Sequence, residues 1–239
     1  MSRLDIASDS PRKPPKKKRL SRVEKSELAR KALVNAAAKT VGDVGYERAS
    51  VSQITARAKV AQGTFYTHFE SRQALFDQLL PSLGKEMIQF IADRIHGSKD
   101  LIEFEERSFR AFFSYLLENP SFYRILNEAE TLAPKAHLAH HDYIVEKYLR
   151  ALKRSVSKGE LPGYTEDDLE AVVYILLAAR RYLAMRYAFR KNKVHAIPES
   201  VVQAYMKIVR HGFGAIASSK SRKTNGKAHN VAARANRDD

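Results

Sequence analysis

The stretch SVSQITARAKV, starting at Ser50, is followed after a three-residue break at Lys59 to Ala61 by QGTFYTHF. Each piece is too short to persist as an isolated helix in water, so each must be held by packing. In the first, Val51, Ile54 and Ala58 mark one face and Ser50 can cap the first turn. In the second, Phe65 and Phe69 stand four residues apart on one side. Two such segments survive only against each other and a longer neighbour. That neighbour precedes them: Leu28, Ala32, Leu33, Ala36, Ala37, Thr40, Val41 and Val44 recur at helical spacing, with Ser21 or Ser26 as the cap and GDVG as the end. A further helix follows, capped by Ser71 and carrying Leu75, Phe76, Leu79 and Leu80.

A long helix with two short ones joined by a tight turn is the arrangement of a helix-turn-helix, whose second short helix enters the DNA major groove. With Phe65 and Phe69 turned to the core, Gln62, Thr64, Tyr66, Thr67 and His68 lie around the rest of the helix. Gln62 has the chemistry to read adenine edges, Thr64 and Thr67 to meet a base or a thymine methyl, and Tyr66 and His68 to bind phosphate oxygens. Gly63 would allow close approach of the backbone. Arg72, cationic in the first turn of the next helix, is badly placed for the helix dipole and is assigned to a phosphate. Taken alone, FYTHF reads more readily as a core-packing run; its surroundings favour the groove.

Composition agrees. Of 239 residues 44% are hydrophobic, with ten Gly and eight Pro, which permits a real core and favours an all-α fold. The chain contains no cysteine, excluding disulfides, thiolate zinc sites and cysteine nucleophiles. It carries neither an apolar run of membrane-spanning length nor the apolar region of a secretory signal, so a soluble, cytoplasmic protein without a membrane partner is expected. The net charge of +15 divides as +8 over residues 1–83, +3 over 84–217 and +4 over the remainder. A basic N-terminal part beside a nearly neutral body points to a polyanion bound by the first part. PRKPPKKKRLSR is broken by proline and lacks the apolar face of a membrane-surface helix, so nucleic acid is the better partner, against the plain alternative of a solvated tail.

From about Ser26 to Leu80 the chain resembles the DNA-binding domain of TetR-family transcriptional regulators, carried by VGYERASVSQITARAKV and AQGTFYTHFESRQALFDQL. The resemblance implies DNA-facing positions at Ser50, Ser52, Gln62, Thr64, Tyr66, Thr67, His68 and Arg72. Lys59 departs from it, standing where the family usually has glycine. A non-glycine residue at positive φ there costs about 1 kcal/mol unless the turn changes.

The expected organisation is a flexible basic arm over 1–20, a helix-turn-helix domain over 21–80, a helical effector-binding and dimerisation domain over 81–217, and a disordered basic tail over 218–239. Pro81 is expected to kink or break the chain. Further helices are read in FEERSFRAFFSYLLENP, SFYRILNEAETLAP, HLAHHDYIVEKYLRALKRSVSKGEL, TEDDLEAVVYILLAARRYLAMRYAF and PESVVQAYMKIVRHGFGAI. The resemblance implies a homodimer paired through the last two helices, and VVYILLAA, apolar on nearly every face, suits cover from two sides. It also implies an effector pocket in the second domain. Phe109, Phe112, Phe113, Tyr123 and Tyr143 could stack on an apolar or aromatic guest, and Asn127, His137, His141 and Arg180 could orient it. Packing is the competing explanation for each aromatic.

His137, His140 and His141 invite a metal reading, and His137 and His141 have the spacing to share an ion, but no third ligand is identified, so no metal site is expected, nor any cofactor. Phosphate loops, nucleophile elbows and HExxH helices are absent from the sequence, which speaks against an enzyme. The reading is a homodimeric repressor released from a palindromic double-stranded DNA operator by a small, possibly aromatic effector. The alternatives are a nonspecific DNA binder, an activator or co-repressor of the same fold, and, further off, a small-molecule enzyme.

Overall fold

The structure, a computed structural model, describes residues 21–191 and 193–224, with backbone alone for 213–224. The arm expected over 1–20, and residues 225–239 of the expected tail, lie outside the described residues.

The regular elements among the described residues are helices apart from one minimal ribbon. Helix α1 (Arg22–Arg48) starts at Ser21, not Ser26: the Ser21 hydroxyl accepts from the Glu24 amide and the Glu24 carboxylate reaches back to the Ser21 amide, satisfying two end donors at once. Helices α2 (Val51–Ala58) and α3 (Gln62–His68) follow, then α4 (Arg72–Ile95), α5 (Leu101–Glu118), α6 (Pro120–Leu132) and α7 (Pro134–Ser157). After one 3-10 turn at Glu166–Asp168 come α8 (Leu169–Leu183) and α9 (Glu199–Thr224), which runs past the expected end at Ala217.

Three local expectations are corrected. The GDVG stretch does not end α1: Gly45 takes φ 84°, ψ 167°, one non-helical residue at which the chain kinks before continuing to Arg48. Pro81 does not break the chain; α4 carries it inside and continues fourteen residues beyond, to Ile95. Proline removes one hydrogen bond, but Leu79, Leu80, Leu83, Gly84, Met87 and Ile91 are buried on the same helix, and that packing outweighs the loss. The helix read through to Phe189 stops at Leu183, passes into a π-helical turn at Ala184–Ala188, and ends in an antiparallel ribbon of β1 (Phe189–Arg190) and β2 (Lys193–Val194).

One continuous apolar core joins both parts of the chain, from Leu33 and Phe65 to Met206 and Val209. Helix α4 makes the joint. Three residues separate it from α3, and it packs on α1, α5, α6 and α7. No described helix is long and apolar enough to cross a membrane.

Candidate nucleic-acid interface and effector cavity

The helix-turn-helix is assembled as its spacing predicts. Ser50 caps α2, its hydroxyl accepting from the Gln53 amide while Gln53 Oε1 accepts from the Ser50 amide. Ile54 and Phe65 are fully buried and Phe69 nearly so, which pins α2 and α3 to α1. Arg30 lies over the Phe69 ring, 5.5 Å from its centroid. The turn between the short helices puts Lys59 at φ 58°, ψ 41°, the left-handed conformation that glycine adopts more cheaply. The lysine therefore keeps the glycine turn and bears its strain.

With the two phenylalanines inward, the other side of α3 is open. Gln62, Gly63, Tyr66 and Thr67 are exposed, and Thr64 and His68 partly so. A β-carbon on Gly63 would meet nothing within 4 Å. Ser52 is exposed at the start of α2, its hydroxyl 3.0 Å from that of Ser50. Of the nine residues assigned to DNA, four have other engagements: Ser50 and Ser52 through the cap and the contact between their hydroxyls, and Thr67 and Arg72 through bonds to backbone carbonyls. The Thr67 hydroxyl donates to Gly63 O at 3.1 Å. Arg72 donates through Nη1 to the carbonyls of Glu47 and Ala49, both at 3.2 Å, and stands over Phe76. Arg72 thus clamps α4 to the C-terminal end of α1, a role invisible in the sequence; any phosphate contact falls to its remaining donors.

A cavity of about 700 Å³ opens between α4, α5, α6, α7 and α8. Six of the nine residues expected at the effector line it: Phe112, Tyr123, Asn127, His137, His141 and Arg180. Phe109, Phe113 and Tyr143 do not. Phe109 is fully buried and stacked on Tyr205 at 4.1 Å, with Phe113 against it at 4.8 Å, so both are core. Tyr143 lies under the Lys147 ammonium.

Arg180 and Tyr148, both in the cavity wall, belong to a buried charged cluster that periodicity could not reveal. Arg180 Nη2 donates to Glu105 Oε1 at 2.6 Å and to the Tyr148 hydroxyl at 2.9 Å. The Tyr205 hydroxyl donates to Glu105 Oε1 at 2.5 Å, and the Tyr148 hydroxyl donates to Oε2. Burial opposes the charge on Arg180, but Glu105 together with Tyr148 and Tyr205 outweighs it, so the guanidinium is held above its ordinary pKa. Burial raises both phenols. Glu105 sits inside an acidic run, EFEERS, that reads as a solvated face.

Helix α6 connects the cavity to the DNA-binding module. One side presents Tyr123, Leu126 and Asn127 to the cavity. The other holds the end of α1: Arg124 Nη1 donates to the carbonyls of Gly42 (3.3 Å) and Asp43 (3.1 Å), and Glu128 accepts from the Tyr46 amide at 2.9 Å and from Arg124 Nε at 2.6 Å. A β-carbon on Gly42 would lie 2.1 Å from the Ser121 hydroxyl oxygen, so only glycine lets the two helices approach this closely.

Residues 33–79, which include the buried Leu33, Ile54, Phe65, Phe69 and Phe76 of this module, match the family described as "Bacterial regulatory proteins, tetR family". Beyond it, the chain is 32% identical over 164 residues to YhgD of Bacillus subtilis, described as an uncharacterized HTH-type transcriptional regulator, spanning 68% of this chain and 85% of that one. The chain belongs to the TetR family. Similarity to a second such regulator of B. subtilis, YvdT, is 35% over 68 residues but spans only 35% of that protein. Among TetR-family structures, a transcriptional regulator from Syntrophomonas wolfei superposes with a TM-score of 0.65 at 18% identity, covering 77% of this chain and 94% of that one. The likeness of fold therefore extends through both parts of the TetR-type chain. The protein is a DNA-binding transcriptional regulator, and its relatives are regulators, not enzymes.

Proposed function

We propose that the protein is a homodimeric repressor released from a palindromic operator by a small apolar or aromatic effector held in the cavity. One observation carries the reading: α4 is a single unbroken helix whose first turn is fixed beside the recognition helix α3 and whose second half, at Met87, Ile88, Ile91, Ala92 and Ile95, lines the cavity. The two ends of that contact are separated by fifteen residues, about 22 Å of helix. A guest that favours one placement of α4 and α6 selects one placement of α3, which is how a ligand shifts a DNA-binding equilibrium. Occupying the operator obstructs other users of that duplex by itself, whereas activation needs a further surface.

Dimerisation through the last two helices is supported by an unpartnered seam. Ala171, Ile175, Ala178 and Tyr182 are exposed at alternating spacings of four and three along α8, the repeat that brings two helices together, and Met185 continues it. On α9, Ile208 is 73% exposed. A two-fold dimer would present two α3 helices to a palindrome.

The test is selection of bound duplexes from a random pool, followed by a screen for compounds that release the selected site. One palindrome retained as salt rises, and released by an apolar compound, is the expected result. Equal loss of all sequences with salt identifies a nonspecific binder. Release only on removing the compound identifies a co-repressor. Gln62→Ala should relax base preference at one position of each half-site; an equal effect on all sequences removes its base-reading role.

A further inference from the structure

Helix α7 sends three histidines to one wall of the cavity: His137, His140 and His141. No imidazole of the three makes a hydrogen bond to another described residue; their neighbours are rings, with His137 at 6.3 Å from His141, His141 at 5.1 Å from Tyr174, and His140 at 6.0 Å from Phe122. His140 is the most telling, because it is only 3% exposed and a buried polar group without a partner is costly. Its Nδ1 is sealed against α4, so close to Gly84 that a β-carbon there would lie 2.0 Å away. A sealed N–H facing a glycine α-carbon would be an orphaned donor, whereas a sealed lone pair costs less. The favoured tautomer thus keeps its proton on Nε2, the nitrogen that is not sealed, on a residue that lines the cavity. Burial holds His137 and His140 below the ordinary histidine pKa, so both are uncharged near neutral pH.

The uncharged imidazoles of His137 and His140 offer a donor and an acceptor on one wall, and a hydroxyl is the group that answers both. Of the four cations that line the cavity, Arg180 is used by Glu105 and Arg181 by Glu130 at 2.5 Å, which leaves Lys147 and Arg154. Across the cavity Asn127 spends its Nδ2 on the Tyr123 carbonyl, at 2.7 Å. Resting on the reading of the cavity as the effector site, we infer that the effector is an apolar body bearing a phenolic or alcoholic hydroxyl, hydrogen-bonded to the histidine row with His140 Nε2–H as donor. The imidazole that reads the hydroxyl is itself held in place by α4, since its Nδ1 edge abuts Gly84.

The experiment is calorimetric titration of the full-length protein with four shape-matched compounds: 4-butylphenol, 4-butylanisole, 4-butylbenzoate and butylbenzene. The phenol should bind at least ~10-fold more tightly than the anisole, the value of about one good hydrogen bond. In His140→Phe that preference should fall below ~3-fold while the anisole is unchanged. Should His140→Phe not fold, the His137→Asn/His141→Asn pair, at partly exposed positions, should also narrow the gap. Equal binding of phenol and anisole overturns the proposal while leaving the cavity as effector site. Tighter binding of the benzoate overturns it in favour of a carboxylate read by Lys147 or Arg154. Binding of none of the four overturns both the proposal and the cavity reading.

Discussion

Gly84 of α4 and His140 of α7 are packed so closely that any side chain at residue 84 would overlap the imidazole, its β-carbon falling 2.0 Å from Nδ1. The ring is buried between α4 and Phe122 and has little room to swing aside. Gly84→Ala should therefore destabilise the fold by about 1–3 kcal/mol, as overpacking does, although alanine is the better helix former. Urea unfolding measures it. Gly63→Ala is the comparator: nothing lies within 4 Å, so its stability should be unchanged or higher by up to about 1 kcal/mol. A Gly84→Ala protein as stable as the parent would mean that α7 is free to retreat.

The same histidine makes stability depend on pH. Burial pushes His140 down to about 4 from the ordinary 6.5, with His137 and His141 adding to the shift. Because the folded state keeps the ring neutral, the unfolded chain binds the extra proton between those values. Stability is then fully present above about pH 6.5 and is lost as pH falls towards 4, by an amount on the order of 3 kcal/mol. His137, also lowered by burial, acts with the same sign. Denaturation midpoints from pH 7 to 4.5 should fall steeply, and less so in His140→Phe.

Breaking the buried ion pair from one side should be severe. Glu105→Ala leaves the Arg180 guanidinium buried at 4% exposure without its carboxylate, and a loss of about 3–5 kcal/mol is expected. Glu105→Leu combined with Arg180→Met should recover part of this, since no charge is then left alone. The remainder is the cost of leaving the Tyr148 and Tyr205 hydroxyls unpaired. A double-mutant cycle in urea separates the two contributions.

On α3, two adjacent aromatics should behave oppositely. Phe65 has no exposure, and Phe65→Ala should cost about 3–5 kcal/mol. Tyr66 is 56% exposed, so Tyr66→Phe should stay within about 0.5 kcal/mol of the parent while weakening DNA binding, measured by fluorescence anisotropy on a selected duplex. Unchanged affinity would remove the phosphate role assigned to Tyr66.

Lys59→Gly should raise stability by about 1 kcal/mol, because the left-handed turn at φ 58° would no longer strain a β-carbon. A simultaneous fall in DNA affinity would show that the lysine is kept for its charge. Thermal unfolding and the same anisotropy titration measure the two effects.

What was legible in the sequence followed from periodicity and capping. Ser50 and Ser71, the Phe65–Phe69 pair and the helical spacing of α1 each express a local rule, and the helix-turn-helix obeys them all. Pro81 misled because propensity is local, while the burial that keeps α4 continuous comes from α5, α6 and α7. The cavity was half legible: six residues were found by type, but Phe109 and Phe113 have the same type and spacing as lining residues and differ only in which neighbour they meet. Glu105 left no signal, and His140 was visible only as one of three clustered histidines. A carboxylate among carboxylates, and one histidine of three, become distinctive only when distant helices enclose them.

The carboxylate of Glu105 on α5 is reached by Tyr148 from α7, Arg180 from α8 and Tyr205 from α9. A chain in which only two or three of these helices have docked holds a charge or a hydroxyl away from water without its full set of partners. Partly docked arrangements are thereby disfavoured. The second half of this chain should gain and lose its tertiary structure as one cooperative unit, with exchange of amide hydrogens in α5, α7, α8 and α9 limited by the same opening event.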